Sequence, residues 1–285
     1  MEFLQRLDAA LEYIEANLAG EISFGQAAKL ACCSTYYFQR MFSYMAGIPV
    51  SEYIRRRRMS AAAFALRDEA AKVSEIAAKY GYKSPTAFNR AFQSVHGVAP
   101  SAVWGKEALL TTYPRLHFHI AVTGTERLKY RIETQGPLRV VGVRMRLAPD
   151  MEQNFGAIPA FWRKAKNDDT LGEIAKLMTE DSRAMLGVTL YHGPEDIGYT
   201  IGAASAAPVP AGMVECEIPA ATWAVFPCVG PAPAAFQELY RRFYTEWLPV
   251  SDYAYTNGPD LEVYTDAAIT APTYQCELWM AVTKK

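Results

Sequence analysis

The chain has 285 residues, a net charge of −1, about half its residues apolar and a fifth charged, which is ordinary for a folded protein and long enough for two independent cores. It contains no run of about 18 apolar residues, so no membrane-spanning helix is expected, and the amphipathic opening MEFLQRLDAALEYIEANL does not read as a secretory leader. The five cysteines are odd in number and lack metal-ligand spacing, with Cys32 and Cys33 adjacent, which predicts a reduced, cytoplasmic setting.

Charge divides unevenly along the chain. Residues 1–110 carry thirteen Lys/Arg against ten Asp/Glu, and the remainder sixteen against twenty. An anionic partner is therefore expected at the first part.

Within residues 1–107 a segment recurs without gaps at an offset of 50. Ala27-Ala28-Lys29 returns as Ala77-Ala78-Lys79, Ser34 as Ser84, Phe38 as Phe88, Arg40 as Arg90, Phe42 as Phe92 and Gly47 as Gly97. Each copy predicts helix, short turn, helix. Ser23 and Ser74 are expected as N-caps of helices from Phe24 to Ala31 and from Glu75 to Tyr80, and Ser34 and Ser84 as caps of the helices that follow. Phe38/Phe42 and Phe88/Phe92, spaced i, i+4, form an apolar stripe, and Gly47 and Gly97 fit left-handed C-terminal positions. Between the copies, Val50 to Leu66 predicts a helix of roughly 25 Å.

The stripe leaves Tyr36, Gln39 and Arg40 outward in the first copy and Thr86, Asn89 and Arg90 in the second. Arg forks onto guanine and Gln or Asn onto adenine in the major groove, so these two faces are the candidate DNA-reading surfaces. A helix near the length separating successive grooves would let one chain read both. The run Arg55 to Arg58 points around its helix, so at most two of the four are expected to face phosphates and the others to pair with Glu52 or Asp68.

Residues 8–104 resemble the AraC/XylS DNA-binding domain through ISFGQAAKLACCSTYYFQRMF, GIPVSEYIRRRRMSAAAFAL and VSEIAAKYGYKSPTAFNRAFQSVHGVAPSAV. The resemblance implies an all-α double helix-turn-helix domain whose base-reading positions are Tyr36, Gln39, Arg40, Thr86, Asn89 and Arg90. It implies double-stranded DNA and RNA polymerase as partners. The family's terminal Tyr-Arg is replaced here by Val103-Trp104.

Residues 108–127 read as a linker. His117 and His119 could share one side of a strand, but no third ligand is near, so no metal site is expected. From 128 to 285 short alternating runs predict strands at Arg139–Arg146, Met185–His192, Tyr199–Ala204, Met213–Ile218, Thr222–Val229, Leu261–Tyr264 and Tyr274–Thr283. Helices are expected at Gly156–Ala165 and Ala232–Trp247, each with a late aromatic patch. The order strand, helix, strand, strand occurs twice, an α+β arrangement.

In the last strand Glu277, Trp279 and Ala281 share one face, while Cys276, Leu278, Met280 and Val282 share the other, expected as core. An acid beside an indole suits an organic cation. Tyr191, Tyr199, Trp223, Phe226 and Tyr255 are candidate walls, with core packing the expected role of Trp223 taken alone. Glu262 is a second candidate acid.

This half resembles the GyrI-like effector-binding domain through LRVVGVRMR, IPAFWRKA, LGVTLYHG, YTIGAAS, IPAATWAVFPCVGP, ELYRRFYTEWLPVSDYAY, LEVY and CELWMAV. The resemblance implies two pseudo-twofold-related units with a ligand cleft between them, joined to the first domain in a Rob-like architecture. A ligand-responsive, multidrug-sensing transcription factor with no cofactor is the expected function. A small-molecule hydrolase using a lone glutamate as base, or a protein-docking module, are the alternatives.

Overall fold

The computed structural model describes residues 2–68, 72–104, 109–118, 128–148, 151–179, 184–193, 196–265 and 269–285. The chain forms two compact units, residues 1–119 and 120–285. Among the described residues no helix is long and apolar enough to cross a membrane.

The first unit contains helices α1 (Glu2–Ala16), α2 (Phe24–Leu30), α3 (Thr35–Ala46), α4 (Val50–Asp68), α5 (Val73–Lys79) and α6 (Pro85–His96), followed by a 3₁₀ turn at Pro100–Trp104. The caps follow from side-chain chemistry. Ser23, Ser34 and Ser84 hydroxyls accept from the amides of Gln26, Tyr37 and Ala87, each satisfying an orphan N–H. Gly47 and Gly97 adopt φ of 70° and 74° at the ends of α3 and α6, a conformation that carries no penalty only for glycine. Ser74 is not a cap. Helix α5 starts earlier, and the Glu75 carboxylate accepts from the Lys72 amide at 3.3 Å.

The four consecutive arginines of α4 are tied into the protein. Arg55 and Arg56 both donate to Glu52, and Arg55 also reaches Ser94. Arg57 forks onto Glu15 of α1 and the Tyr113 carbonyl, while Arg58 caps the carbonyls of Leu18 and Gly20 beyond the end of α1. The expected pairing with Glu52 is present, and helix-to-helix bracing takes the rest.

Part of the expected linker is also held. The Tyr113 amide donates to Ser60, the Leu116 amide to the Tyr53 hydroxyl, and Phe118 packs edge-on against Phe42 with centroids 6.0 Å apart. Residues 108 and 119–127, including His119 of the two-histidine pattern, lie outside the described residues.

The second unit is one eight-stranded antiparallel sheet in the order β1-β6-β8-β7-β3-β4-β2-β5. Its strands are β1 (Arg131–Gln135), β2 (Leu138–Arg146), β3 (Met185–Tyr191), β4 (Ile197–Ala204), β5 (Val214–Ile218), β6 (Ala221–Val229), β7 (Tyr253–Tyr264) and β8 (Gln275–Lys284). Helices α7 (Met151–Asn167) and α8 (Thr170–Ala175) follow β2. Helix α9 (Ala234–Arg242) follows β6 and ends in a π turn at Phe243–Trp247. The two halves are β2-α7-β3-β4 and β6-α9-β7-β8, meeting at the β3–β7 seam. Edge strands are exchanged: β1 pairs with β6, and β5 with β2.

The ion pair between Arg57 and Glu15, at 2.7 Å with side chains 19% and 11% exposed, yields a prediction. Burial works against the charged carboxyl of Glu15, but hydrogen bonds from Arg57 and Tyr53 outweigh it and hold the group below its usual range. That stabilisation is present above the ordinary carboxylate range and is lost as pH falls through the depressed value. Arg57→Ala is expected to cost about 2–3 kcal/mol at neutral pH and to shrink the loss of stability on acidification below about pH 4.5. Urea unfolding of both proteins at neutral and acidic pH measures this.

Candidate functional site

The two repeated helices share a sequence pattern but not an environment. In α6 the buried residues are Phe88, Phe92, Val95 and His96, a single stripe. Thr86 and Arg90 are exposed and Asn89 is half-buried, as the sequence reading requires. In α3 every residue from Tyr36 to Ser43 is buried. Eight consecutive residues exceed two turns, so burial in α3 is not confined to one stripe. Tyr36, Gln39 and Arg40 are only 2%, 6% and 4% exposed. The outward setting expected for these three is not seen in α3, where burial does not follow the apolar stripe as it does in α6.

In the second unit, strand register sorts the candidate effector residues onto two opposite faces of the sheet. Val225 and Leu261 lie opposite Trp279, Trp223 opposite Ala281, and Val263 opposite Glu277. Glu262 pairs with Leu278 and Gly187, and Phe226 with Leu278. Glu277, Trp279 and Trp223 therefore share one face, and Glu262, Tyr191, Tyr199, Phe226 and Tyr255 the other.

Glu277 is not a free acid beside an indole. Arg131 donates to both its oxygens at 2.6 and 2.9 Å, and Trp279 Nε1 donates at 2.9 Å. The Arg131 guanidinium also sits 5.7 Å from the Trp279 ring centroid. Burial opposes ionisation of Glu277, but Arg131 and Trp279 hold its carboxyl below the ordinary range. A cation from within the chain thus occupies the arrangement proposed for a ligand, because β1, a strand absent from the sequence reading, supplies Arg131. Trp223 is buried edge-on against Trp279 and packs in the core.

On the other face, Glu262 is the centre of an aromatic cluster. Its Oε2 accepts from the Tyr199 hydroxyl at 2.6 Å and the Tyr264 hydroxyl at 3.0 Å. Trp162 of α7 donates its indole N–H to the Tyr199 oxygen at 2.9 Å and stacks obliquely on Tyr264 at 4.5 Å. Phe236 of α9 meets Tyr264 from its other contact at 5.2 Å. Both halves of the unit contribute. Tyr199 and Tyr264 are deeply buried, while Glu262 and Trp162 keep partial exposure. Burial first, and then the neighbouring Glu262 charge, raise both tyrosine hydroxyls well above their ordinary range, so they remain hydrogen-bond donors at any physiological pH.

Phe226 and Tyr255 belong to a separate cluster around Phe243 and Trp247 of the π turn, with Tyr255 donating to Asp260 at 2.9 Å. Tyr191 is half-buried near the end of β3. The residues missed in the sequence are Trp162, Tyr264 and Phe236; the late aromatic patch of the first helix was the signal for Trp162.

A family model for a helix-turn-helix domain matches residues 27–104. One for the integron-associated effector binding protein matches residues 131–282, more than half of the chain. The chain belongs to that effector-binding family and joins it to an AraC-type domain. The helical first unit and the antiparallel sheet of the second agree with the double helix-turn-helix and GyrI-like architecture read from the sequence. This AraC-type regulator is 36% identical over 91 residues to the HTH-type transcriptional activator AarP of Providencia stuartii, covering 32% of this chain and 67% of AarP. It is 36% identical over 104 residues to the transposon Tn10 TetD protein of Escherichia coli, covering 35% of this chain and 75% of TetD. A solved structure from Staphylococcus aureus MU50 matches over 55% of this chain and 99% of its own, at 19% identity and a TM-score of 0.48. The regulator is a DNA-binding transcriptional regulator with an effector-binding domain.

Gly187, opposite Glu262 in β3, gives the cluster its room: a methyl there would collide with the Tyr199 hydroxyl and come within 2.9 Å of the Glu262 carboxylate. Gly187→Ala is expected to displace that pair and destabilise the second unit by about 1–3 kcal/mol, read by urea unfolding. An unchanged midpoint would mean that the tyrosine and glutamate do not fill that space.

Proposed function

We propose that the second unit binds a small aromatic or cationic effector at Glu262, and that the first reads specific DNA sequences through α6 and α3. The observation carrying the effector reading is a partly exposed carboxylate ringed by Tyr199, Tyr264, Trp162 and Phe236. A carboxylate among aromatic rings attracts an organic cation by charge and by ring quadrupole together, the latter contributing about 0.5–2 kcal/mol. Glu277 is a poor site by the same reasoning, since Arg131 already neutralises it.

The DNA reading rests on Thr86, Asn89 and Arg90 standing at an accessible face of α6, with the matching triad Tyr36, Gln39 and Arg40 on α3. For α3 to read bases its enclosed side chains have to come free. RNA polymerase is the expected protein partner, supported by the description of AarP as an activator. The free cysteines fit a reducing cytoplasm.

Two measurements test the assignments. Glu262→Gln is expected to weaken tetraphenylphosphonium binding about 10- to 100-fold while leaving neutral triphenylphosphine oxide nearly unaffected. Glu277→Gln should change neither by more than about twofold. Equal losses for the two ligands in Glu262→Gln would remove the charge argument. For DNA, Arg90→Ala should weaken binding to a selected operator by about 1–3 kcal/mol and relax base preference at one position. Unchanged affinity and preference, by fluorescence anisotropy, would sink the α6 assignment.

A further inference from the structure

Strand register places Cys228 of β6 directly opposite Cys276 of β8, and Cys276 directly opposite Tyr264 of β7. The three form one row on the Glu262 face, and Tyr264 is one of the two hydroxyls holding Glu262. Both thiols are free, and both are buried, at 6% and 2% exposure. The Cys276 sulfur lies 3.8 Å from the Cys228 carbonyl oxygen, turned toward the neighbouring strand.

The register sets the two thiols side by side. A hydrogen bond from Cys276 holds the Cys228 thiol below its ordinary range despite burial, and the same contact, with burial, raises Cys276. Two thiols side by side are the arrangement of an attacking and a resolving cysteine, the more thiolate-like sulfur attacking first. Directly opposed residues on antiparallel strands have Cβ atoms about 4.5–5.5 Å apart, and a disulfide needs about 3.5–4.5 Å. Closure therefore asks for a shift of about 1 Å between β6 and β8. The pair lies one residue inside the ends of β6 and β8, so fraying of those strand ends opens it to an oxidant the size of a peroxide.

We infer that Cys228 and Cys276 are a peroxide-sensitive dithiol whose closure to a disulfide weakens ligand binding at Glu262; the coupling rests on the effector reading above. The Cys228 thiolate attacks one peroxide oxygen, the O–O bond breaks, and the other oxygen leaves with the thiol's proton as water or an alcohol. The resulting sulfenic acid is attacked by the Cys276 sulfur, which loses its proton as the sulfenic oxygen departs as water. Two thiols give up two electrons to one O–O bond. The strand shift reaches Tyr264 through its opposed neighbour Cys276. Tyr264 is in ring contact with Trp162 and Phe236 and donates to Glu262, so the movement reaches that hydrogen bond.

The test uses the full chain carrying Cys32→Ser and Cys33→Ser, treated with hydrogen peroxide and mapped by mass spectrometry under non-reducing conditions. A Cys228–Cys276 cross-link, two hydrogens lighter than the separate peptides and reversed by dithiothreitol, is expected. Tetraphenylphosphonium affinity should fall about fivefold or more on oxidation and return on reduction. Cys228→Ser should abolish both effects, and Cys276→Ala serves if that variant does not fold. Thiols at 228 and 276 that still alkylate after peroxide treatment and unfolding, or sulfinic acids without a cross-link, would overturn the pair. A cross-link with unchanged affinity would overturn the coupling. If the reduced protein fails to bind tetraphenylphosphonium while the cross-link forms, the Glu262 reading and the coupling fall, and the thiol pair stands.

Discussion

A carboxylate held by two tyrosine hydroxyls at the seam of two half-sheets organises the second unit. Taking a carboxylate partly out of water costs several kcal/mol. Hydrogen bonds to a charged group return about 1.5–3 kcal/mol each, and Glu262 receives one from Tyr199 and one from Tyr264. Those two bonds offset part of that cost, and they fix where the carboxylate oxygens point. The tyrosines are themselves fixed: Trp162 holds the Tyr199 oxygen, and Trp162 and Phe236 flank Tyr264. Orientation of the acid thus depends on side chains from β4, β7, α7 and α9 at once.

That convergence explains how much of the site could be read in advance. Strands with alternating or continuous apolar runs, such as β2, β3, β6 and β8, were legible within a residue or two. Strand β1, RIETQ, is a polar edge with no apolar period, and β7 contains Asn257-Gly258-Pro259 with a register shift between Tyr255 and Asp260. Strand β1 lacks the pattern that identifies a strand from sequence, and of β7 only Leu261–Tyr264 has it. Losing β1 lost Arg131, and with it the reason Glu277 is unavailable. Parity correctly grouped Glu277 with Trp279 and Cys276 with Leu278, but it cannot say which group faces the aromatic cluster. Glu262 was visible as an acid in a strand. Its neighbours come from three distant segments that only the register brings together.

The first unit presents the complementary case. Its helices, three of the four expected serine caps and its turn glycines were legible because local chemistry decides them: a serine hydroxyl, a left-handed glycine, phenylalanines four residues apart. The environment of α3 was not, since the repeat makes α3 and α6 look alike and only α6 keeps its polar side open.

That asymmetry lies in the side chains, not in the backbone. A guanidinium is costly to enclose unless its donors are satisfied, and Arg40, 4% exposed, has a partner within the protein, whereas Arg90 at the matching position of α6 is exposed. The same apolar stripe at the same spacing thus carries an arginine in two different settings. A repeat in sequence repeats the local geometry of a helix and its cap, and leaves open what each polar side chain meets.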